Sequence, residues 1–299
     1  MASGVRLNKV IDLLERGQVV FSSGTIMSDN LDDIMFVADA DYDFAIIEME
    51  HQGFDFTFLR TALQYFLNRQ RLVEHGTLQP TVVPFVRIPP NAREAGGNQW
   101  IIKQTLDTGV YGLVLPHLNT VEDAQAAVIA ARYPQVPGVP DFEPQGQRGW
   151  WPRLAPRYWG LTPQDYYDKA DVWPLDPDGE LLLMGIVEEA EGVRNIRDIL
   201  QQVKGIGAIW AGPGDLSLSL GKRGNAADPE VQAGLLRVLE ACKEYGVPCA
   251  TGAAPADVAQ RLEQGFRIIM AGPTRATPTL DTGRRIVGRC CCREHGGGT

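Results

Sequence analysis

The sequence predicts an α/β chain folded as a (β/α)8 TIM barrel, with a helix ahead of it and a long insertion between its fourth and fifth strands. Three observations predict this. Eight short apolar, β-branched runs recur along the 299 residues, stretches of helical apolar spacing separate them, and glycines stand where those helices should stop. Strand–helix alternation of this kind gives a parallel sheet with helical crossovers, and a count of eight favours closure into a barrel over an open sheet.

A helix over about residues 6–16 precedes the barrel and covers one end. The runs of the first half are residues 19–22, 44–48, 82–87 and 112–115; those of the second half are 181–187, 207–210, 247–250 and 266–270. Between them, residues 121–132 and 192–203 carry apolar residues at helical spacing, and Gly109, Gly205, Gly246 and Gly265 supply the left-handed residue that favours a helix end. One stretch breaks the rhythm. Residues 134–179 are rich in Pro, Trp, Tyr and Asp, as in Trp150-Trp151-Pro152, Tyr158-Trp159 and Trp173-Pro174. Loops of such length are usually lids or binding segments. The expectation is that this one lies on the C-terminal face of the barrel, above an active site, with its aromatic pairs used in packing or a subunit interface. Residues 1–289 read as one domain, and residues 290–299, with Cys290-Cys291-Cys292 and a glycine run, as a flexible tail.

Composition narrows the function classes. A chain that is 44% hydrophobic can bury a large core. There is no basic-then-apolar leader and no apolar run near the roughly 20 residues that span a bilayer, so a soluble cytoplasmic protein is expected. Five cysteines, three of them adjacent, do not make a disulfide framework, and reduced thiols are expected. A net charge of −9 without a basic stripe argues against nucleic acid or an anionic membrane as partner, while leaving small anionic substrates open.

In a parallel barrel the chemistry sits at the C-terminal ends of strands. The second run ends in Glu48-Met49-Glu50-His51, the third in Arg87, the fourth in Pro116-His117-Leu118-Asn119, the fifth in Glu188-Glu189 and the sixth in Gly212-Pro213-Gly214-Asp215. Glu188 and Asp215 close adjacent strands, and two carboxylates there suit a hard divalent cation; each also stands where it could cap the following helix. The glycines of the Gly212-Pro213-Gly214 turn let the backbone approach a bound anion, or simply make a tight strand-to-helix turn. His51 follows Glu48 by three residues, within reach of a carboxylate that hydrogen-bonds the imidazole and sets its basicity. Arg87 needs an anionic partner, which is either a substrate or Glu48 or Glu50. His117 is placed at the same mouth, and Arg148 is read as reaching the substrate from the insertion. No lysine ends a predicted strand, so Schiff-base chemistry is not expected.

Taken in order and with their strand placement, several segments resemble the class II pyruvate aldolases of the HpcH/HpaI type over residues 19–286. They are Asp43-Phe44-Ala45-Ile46-Ile47-Glu48-Met49-Glu50-His51, Val86-Arg87, Lys103-Gln104 with Asp107 and Gly109, Ala131-Arg132-Tyr133-Pro134, Arg148-Gly149, Glu188, and Gly212-Pro213-Gly214-Asp215-Leu216-Ser217. The resemblance implies a divalent-metal-dependent aldolase that reversibly cleaves a 4-hydroxy-2-oxo acid to pyruvate, or a close 2-oxo acid, and an aldehyde through a metal-stabilised enolate. It implies Mg2+, Mn2+ or Co2+ on Glu188 and Asp215, His51 as base, Arg87 stabilising the enolate, and amides near Gly214 and Asp215 holding the substrate carboxylate. It also implies a homo-oligomer, a hexamer built from dimers. Three departures stand out: Glu48 where the family usually has Asp, Ile186 where relatives often carry Gln near the substrate, and the longer insertion. They leave the 2-oxo acid half intact and point to an unusual aldehyde. The alternatives are a CoA-ester lyase or 2-oxo acid decarboxylase of the same superfamily, for which no basic docking surface is evident, and a non-catalytic barrel that binds a small acid.

Overall fold

The computed structural model describes residues 6–27, 30–90, 99–272, 275 and 277–289. Among the described residues nine strands follow one another: β1 (Val20–Ile26), β2 (Phe44–Glu48), β3 (Val83–Arg87), β4 (Gly112–Leu115), β5 (Val172–Trp173), β6 (Leu181–Val187), β7 (Ala208–Ala211), β8 (Cys249–Gly252) and β9 (Ile268–Met270). Eight of them close a parallel barrel. The order runs β4-β3-β2-β1-β9-β8-β7-β6, and β6 pairs back onto β4, so the predicted (β/α)8 barrel is what forms. The two-residue β5 is an addition beside the start of β6. All seven residues of β6 are buried, as expected where helices cover one face of a strand and barrel core the other. Gly246 and Gly265 end their helices at φ 70° and 103°, a conformation that other residues adopt only under strain. Among the described residues Cys242 and Cys249 are free and buried. The predicted tail, residues 290–299, lies outside the described residues.

The N-terminal end of the barrel is sealed. The Lys9–Glu15 helix is capped by Asn8, whose side chain accepts from the Val10 amide. The Asn8 amide donates to Glu180 Oε2 at 2.8 Å and its Nδ2 to the Tyr111 carbonyl at 3.1 Å. Tyr111 and Glu180 immediately precede β4 and β6, so this helix crosses the end where strands begin. Asp43, just before β2, is fully buried there and pairs with Lys9 at 3.1 Å, Arg284 at 3.3 Å and Arg289 at 2.7 Å. Burial alone would raise its carboxyl, but Lys9, Arg289 and Arg284 hold it below the ordinary carboxylate range.

The insertion belongs to this same end, which corrects the expectation that it covers the C-terminal face. It follows the Val121–Ala131 helix rather than β4, and a helix that runs back along the barrel delivers the chain to the N-terminal face. It contains the Leu154–Trp159 and Pro163–Lys169 helices and β5. Trp159 Nε1 donates to the Gly109 carbonyl at 2.8 Å, and its ring stacks on Tyr111 at 4.5 Å, both at the approach to β4. Trp173 Nε1 reaches Glu15 Oε1 at 3.1 Å. The buried Arg132 guanidinium ties the insertion together, donating to both Asp171 carboxylate oxygens at 2.7 Å and to Asp141 Oδ2 at 2.9 Å.

Candidate active site

At the opposite end, strand register decides which side chains meet. Glu48 and Arg87 are cross-strand partners in the β2–β3 ladder. Glu48 Oε2 accepts from Arg87 Nε at 2.7 Å, and Glu48 Oε1 accepts from the backbone amides of Glu50 at 2.7 Å and His51 at 3.1 Å. The buried carboxylate thus folds the turn after β2 and fixes the guanidinium at the end of β3. The expected hydrogen bond from Glu48 to the His51 imidazole is not what forms. A carboxylate three residues from a histidine can reach the backbone N–H as readily as the ring, and here the two amides take Oε1 while Arg87 takes Oε2. The imidazole instead faces Glu50, with Nε2 3.4 Å from Glu50 Oε2, and its side chain is 56% exposed at the mouth.

Glu50 is the site residue that spacing did not reveal beyond its naming as a candidate partner for Arg87. Its side chain, 6% exposed, lies 3.2 Å from Arg87 Nε and 3.9 Å from His117 Nε2. Burial raises its carboxyl, Arg87 and His51 draw it back, and Glu48 and Asp215 push it up again. The alternation of a strand would set residues 48 and 50 on one side, but β2 ends at Glu48, so only the turn that Glu48 folds brings Glu50 into the cluster.

β6 and β7 carry the other half. Val187 pairs with Ala211, so Glu188 and Gly212 leave the barrel side by side. A Cβ on Gly212 would stand 3.0 Å from both Glu188 Cβ and Ile186 Cγ2 and 3.3 Å from Glu188 Oε2, so the glycine allows the turn to sit against the acid. Ile186 therefore packs under this turn, on the same side of β6 as Glu188. Pro213 and Gly214 open the short Pro213–Ser219 helix, with Asp215 in its first turn, and a Cβ on Gly214 would meet nothing within 4 Å. The His117 amide, held at φ 55°, donates to Glu188 Oε1 at 3.0 Å, and His117 Nδ1 lies 2.9 Å from Glu189 Oε1. Asn119 Nδ2 donates to Glu189 Oε2 at 2.7 Å and steadies that pair. Burial, with Asp215 and Glu50 close by, pushes the Glu188 carboxyl up to about 7 despite the His117 amide.

The mouth thus gathers Glu48, Glu50, His51, Arg87, His117, Ile186, Glu188 and the turn from Gly212 to Asp215. Arg148 is not brought there. It is fully buried in the insertion, donating to Asp107 Oδ1 at 2.9 Å and Tyr166 Oη at 2.7 Å, with its guanidinium 4.5 Å from the Tyr133 ring. Among the described residues, three acids whose oxygens could share one ion occur at Asp141, Asp171 and Asp176. That cluster is at the sealed end, and Arg132 already supplies its cation.

At the mouth the donor set fits a hard cation. Glu188 Oε1 accepts one amide, Asp215 and Glu50 add negative charge nearby, and the Arg87 guanidinium is bonded to Glu48 and Glu50. Buried acids in that arrangement need a further positive charge.

The family model described as HpcH/HpaI aldolase/citrate lyase matches residues 26–276. A 5-keto-4-deoxy-D-glucarate aldolase of Citrobacter koseri is 32% identical over 190 residues, a match spanning 63% of this chain and 65% of that protein's length. The enzyme of the same name from Salmonella newport is 29% identical over 234 residues, 78% of each chain. Among solved structures, an HpcH/HpaI aldolase/citrate lyase family protein of Burkholderia cenocepacia superimposes with a TM-score of 0.71 at 27% identity, covering 88% of this chain and 91% of that one.

Proposed function

Because the chain belongs to the HpcH/HpaI aldolase/citrate lyase family, we propose that it is a divalent-metal-dependent aldolase that reversibly cleaves a 4-hydroxy-2-oxo acid to pyruvate, or a close 2-oxo acid, and an aldehyde. The observation that carries this reading is the pair Glu188 and Asp215 on adjacent strand ends, with Glu188 buried and Arg87 already engaged by Glu48 and Glu50. Glu188 and Asp215 would hold the ion, which is Mg2+, Mn2+ or Co2+. When bound, it supplies Lewis-acid polarisation of the substrate's keto group.

The remaining roles fall to side chains whose positions are fixed. Arg87 is gripped by Glu48 and Glu50, so its orientation costs little to maintain, and it offers positive charge to the keto oxygen as electrons move toward it during C–C cleavage. His51 takes the proton of the 4-hydroxyl as the aldehyde leaves, and returns one in the condensing direction. Its exposure lets it meet the aldehyde half, while Glu50 steadies its Nε2. The amides at Gly214 and Asp215 receive the substrate carboxylate where the open space beside Gly214 admits it. Ile186, apolar under the turn, bears on which aldehyde is accepted. A cytoplasmic homo-oligomer belongs to the same reading; no described helix is long and apolar enough to cross a membrane.

Exchange of pyruvate methyl protons in deuterated buffer, followed by proton NMR, tests the chemistry without knowledge of the aldehyde. Exchange should require one of the three divalent ions and stop in chelator. Exchange that is indifferent to chelator, or none with any of the ions, contradicts the proposal.

A further inference from the structure

On the outer wall of the barrel, a groove of about 420 Å3 runs between the Phe56–Phe66 and Arg69–His75 helices and the Leu154–Trp159 helix of the insertion. It is separate from the mouth. Leu78 and Thr108, which help line it, precede β3 and β4, so it opens toward the sealed end. Its volume falls within the roughly 300–1,000 Å3 typical of small-molecule sites.

Three arginines, Arg60, Arg69 and Arg157, are among the residues that line this groove. Among the described residues none of the three has a carboxylate partner, and Arg60 lies 5.9 Å from the centre of the Phe56 ring. In a chain of net charge −9, three unpaired arginines on one depression form a local excess of positive charge against the trend of the molecule. Between them the wall is apolar. Leu72 and Leu78 contribute to it, Leu78 being 38% exposed, and the Tyr158 side chain lies beneath them. An apolar wall under a rim of cations has the composition of a binding site for an amphipathic anion.

We propose that this groove binds a small organic phosphate monoester, its dianionic head taken by Arg60, Arg69 and Arg157 and its apolar body laid against Leu72, Leu78 and Tyr158. A single carboxylate carries too little charge for three guanidiniums, whereas a phosphate monoester carries close to two negative charges at neutral pH and accepts bidentate hydrogen bonds. The groove sits against the start of β4, since Tyr158 packs on Gly109 and Trp159 bonds the Gly109 carbonyl.

Calorimetric titration of the full chain with phenyl phosphate tests this. Saturable binding at one per chain is expected, and inorganic phosphate and phenol should each bind at least about tenfold more weakly, because each lacks one half of the recognition. Arg69→Ala and Arg157→Ala remove exposed, unpaired side chains and should each weaken phenyl phosphate about tenfold or more, whereas Asp215→Ala, at the barrel mouth, should leave it unchanged. The proposal is overturned if wild-type protein shows no saturable binding, if the arginine variants bind as tightly as wild type, or if Asp215→Ala abolishes binding. It is equally overturned if inorganic phosphate binds as well as phenyl phosphate, which marks an adventitious ion only. Loss of an oligomer in the arginine variants, with no phenyl phosphate binding in wild type, assigns the groove to contact between copies instead.

Discussion

Lowering the pH should weaken divalent-ion binding through Glu188, and the size of the effect follows from its surroundings. Burial beside Asp215 and Glu50 moves the carboxyl from 4.5 to about 7 in the ion-free protein. A carboxyl raised on folding holds its proton more tightly in the folded than in the unfolded state, so folding is favoured as pH falls. The penalty is absent below 4.5, grows between 4.5 and about 7, and is complete above about 7, where it amounts to roughly 3 kcal/mol. A cation held by the ionised carboxylate offsets that penalty, and below about pH 7 it must first displace a proton. Apparent affinity for Mn2+ should therefore be nearly constant above about pH 8 and fall about tenfold between about pH 8 and pH 6. Calorimetry of chelator-treated protein in buffers of different ionisation enthalpy measures both quantities. Close to one proton released per ion is expected at about pH 6, and almost none at about pH 8. Equal affinity at both values with no proton release would refute the placement of the ion on Glu188.

Two further outcomes follow from the packing around and below the mouth. In Gly212→Ala the backbone angle, φ −91°, suits alanine, but the new Cβ meets Glu188 and Ile186 at 3.0 Å. The acid must shift by a fraction of an ångström, so metal titration should show roughly tenfold weaker binding with melting temperature nearly unchanged; unchanged affinity would remove the close approach from the account. Arg148→Met deletes the bonds to Asp107 and Tyr166 and the stacking on Tyr133, and denaturant unfolding should show a loss of roughly 3 kcal/mol with the kcat of the folded enzyme kept. A fall in kcat at unchanged stability would return Arg148 to the substrate.

The barrel was readable in the sequence because each strand is a short β-branched run and each crossover has helical spacing. The acids at 188 and 215 were readable because strand ends in a parallel barrel converge. The side of the barrel taken by the insertion was also encoded, since the helix over residues 121–132 sends the chain to the N-terminal end; loop length drew the expectation to the other face. Arg148 offered no such clue. Its partners Asp107 and Tyr166 stand 41 and 18 residues away in sequence, and no periodicity relates them. Spacing also leaves open whether Glu48 addresses a ring or a backbone amide. That choice is made by the turn after β2, and with it the entry of Glu50 into the site.

Equilibrium binding of Mn2+, followed by electron paramagnetic resonance in wild type, Glu188→Gln, Asp215→Asn and Asp141→Asn, tests the metal assignment most directly. One ion per chain is expected in wild type and in Asp141→Asn, and none at comparable concentration in the Glu188 and Asp215 variants. Binding that survives in both mouth variants and disappears with Asp141→Asn would place the ion at the sealed end and contradict the assignment of the active site to Glu188 and Asp215.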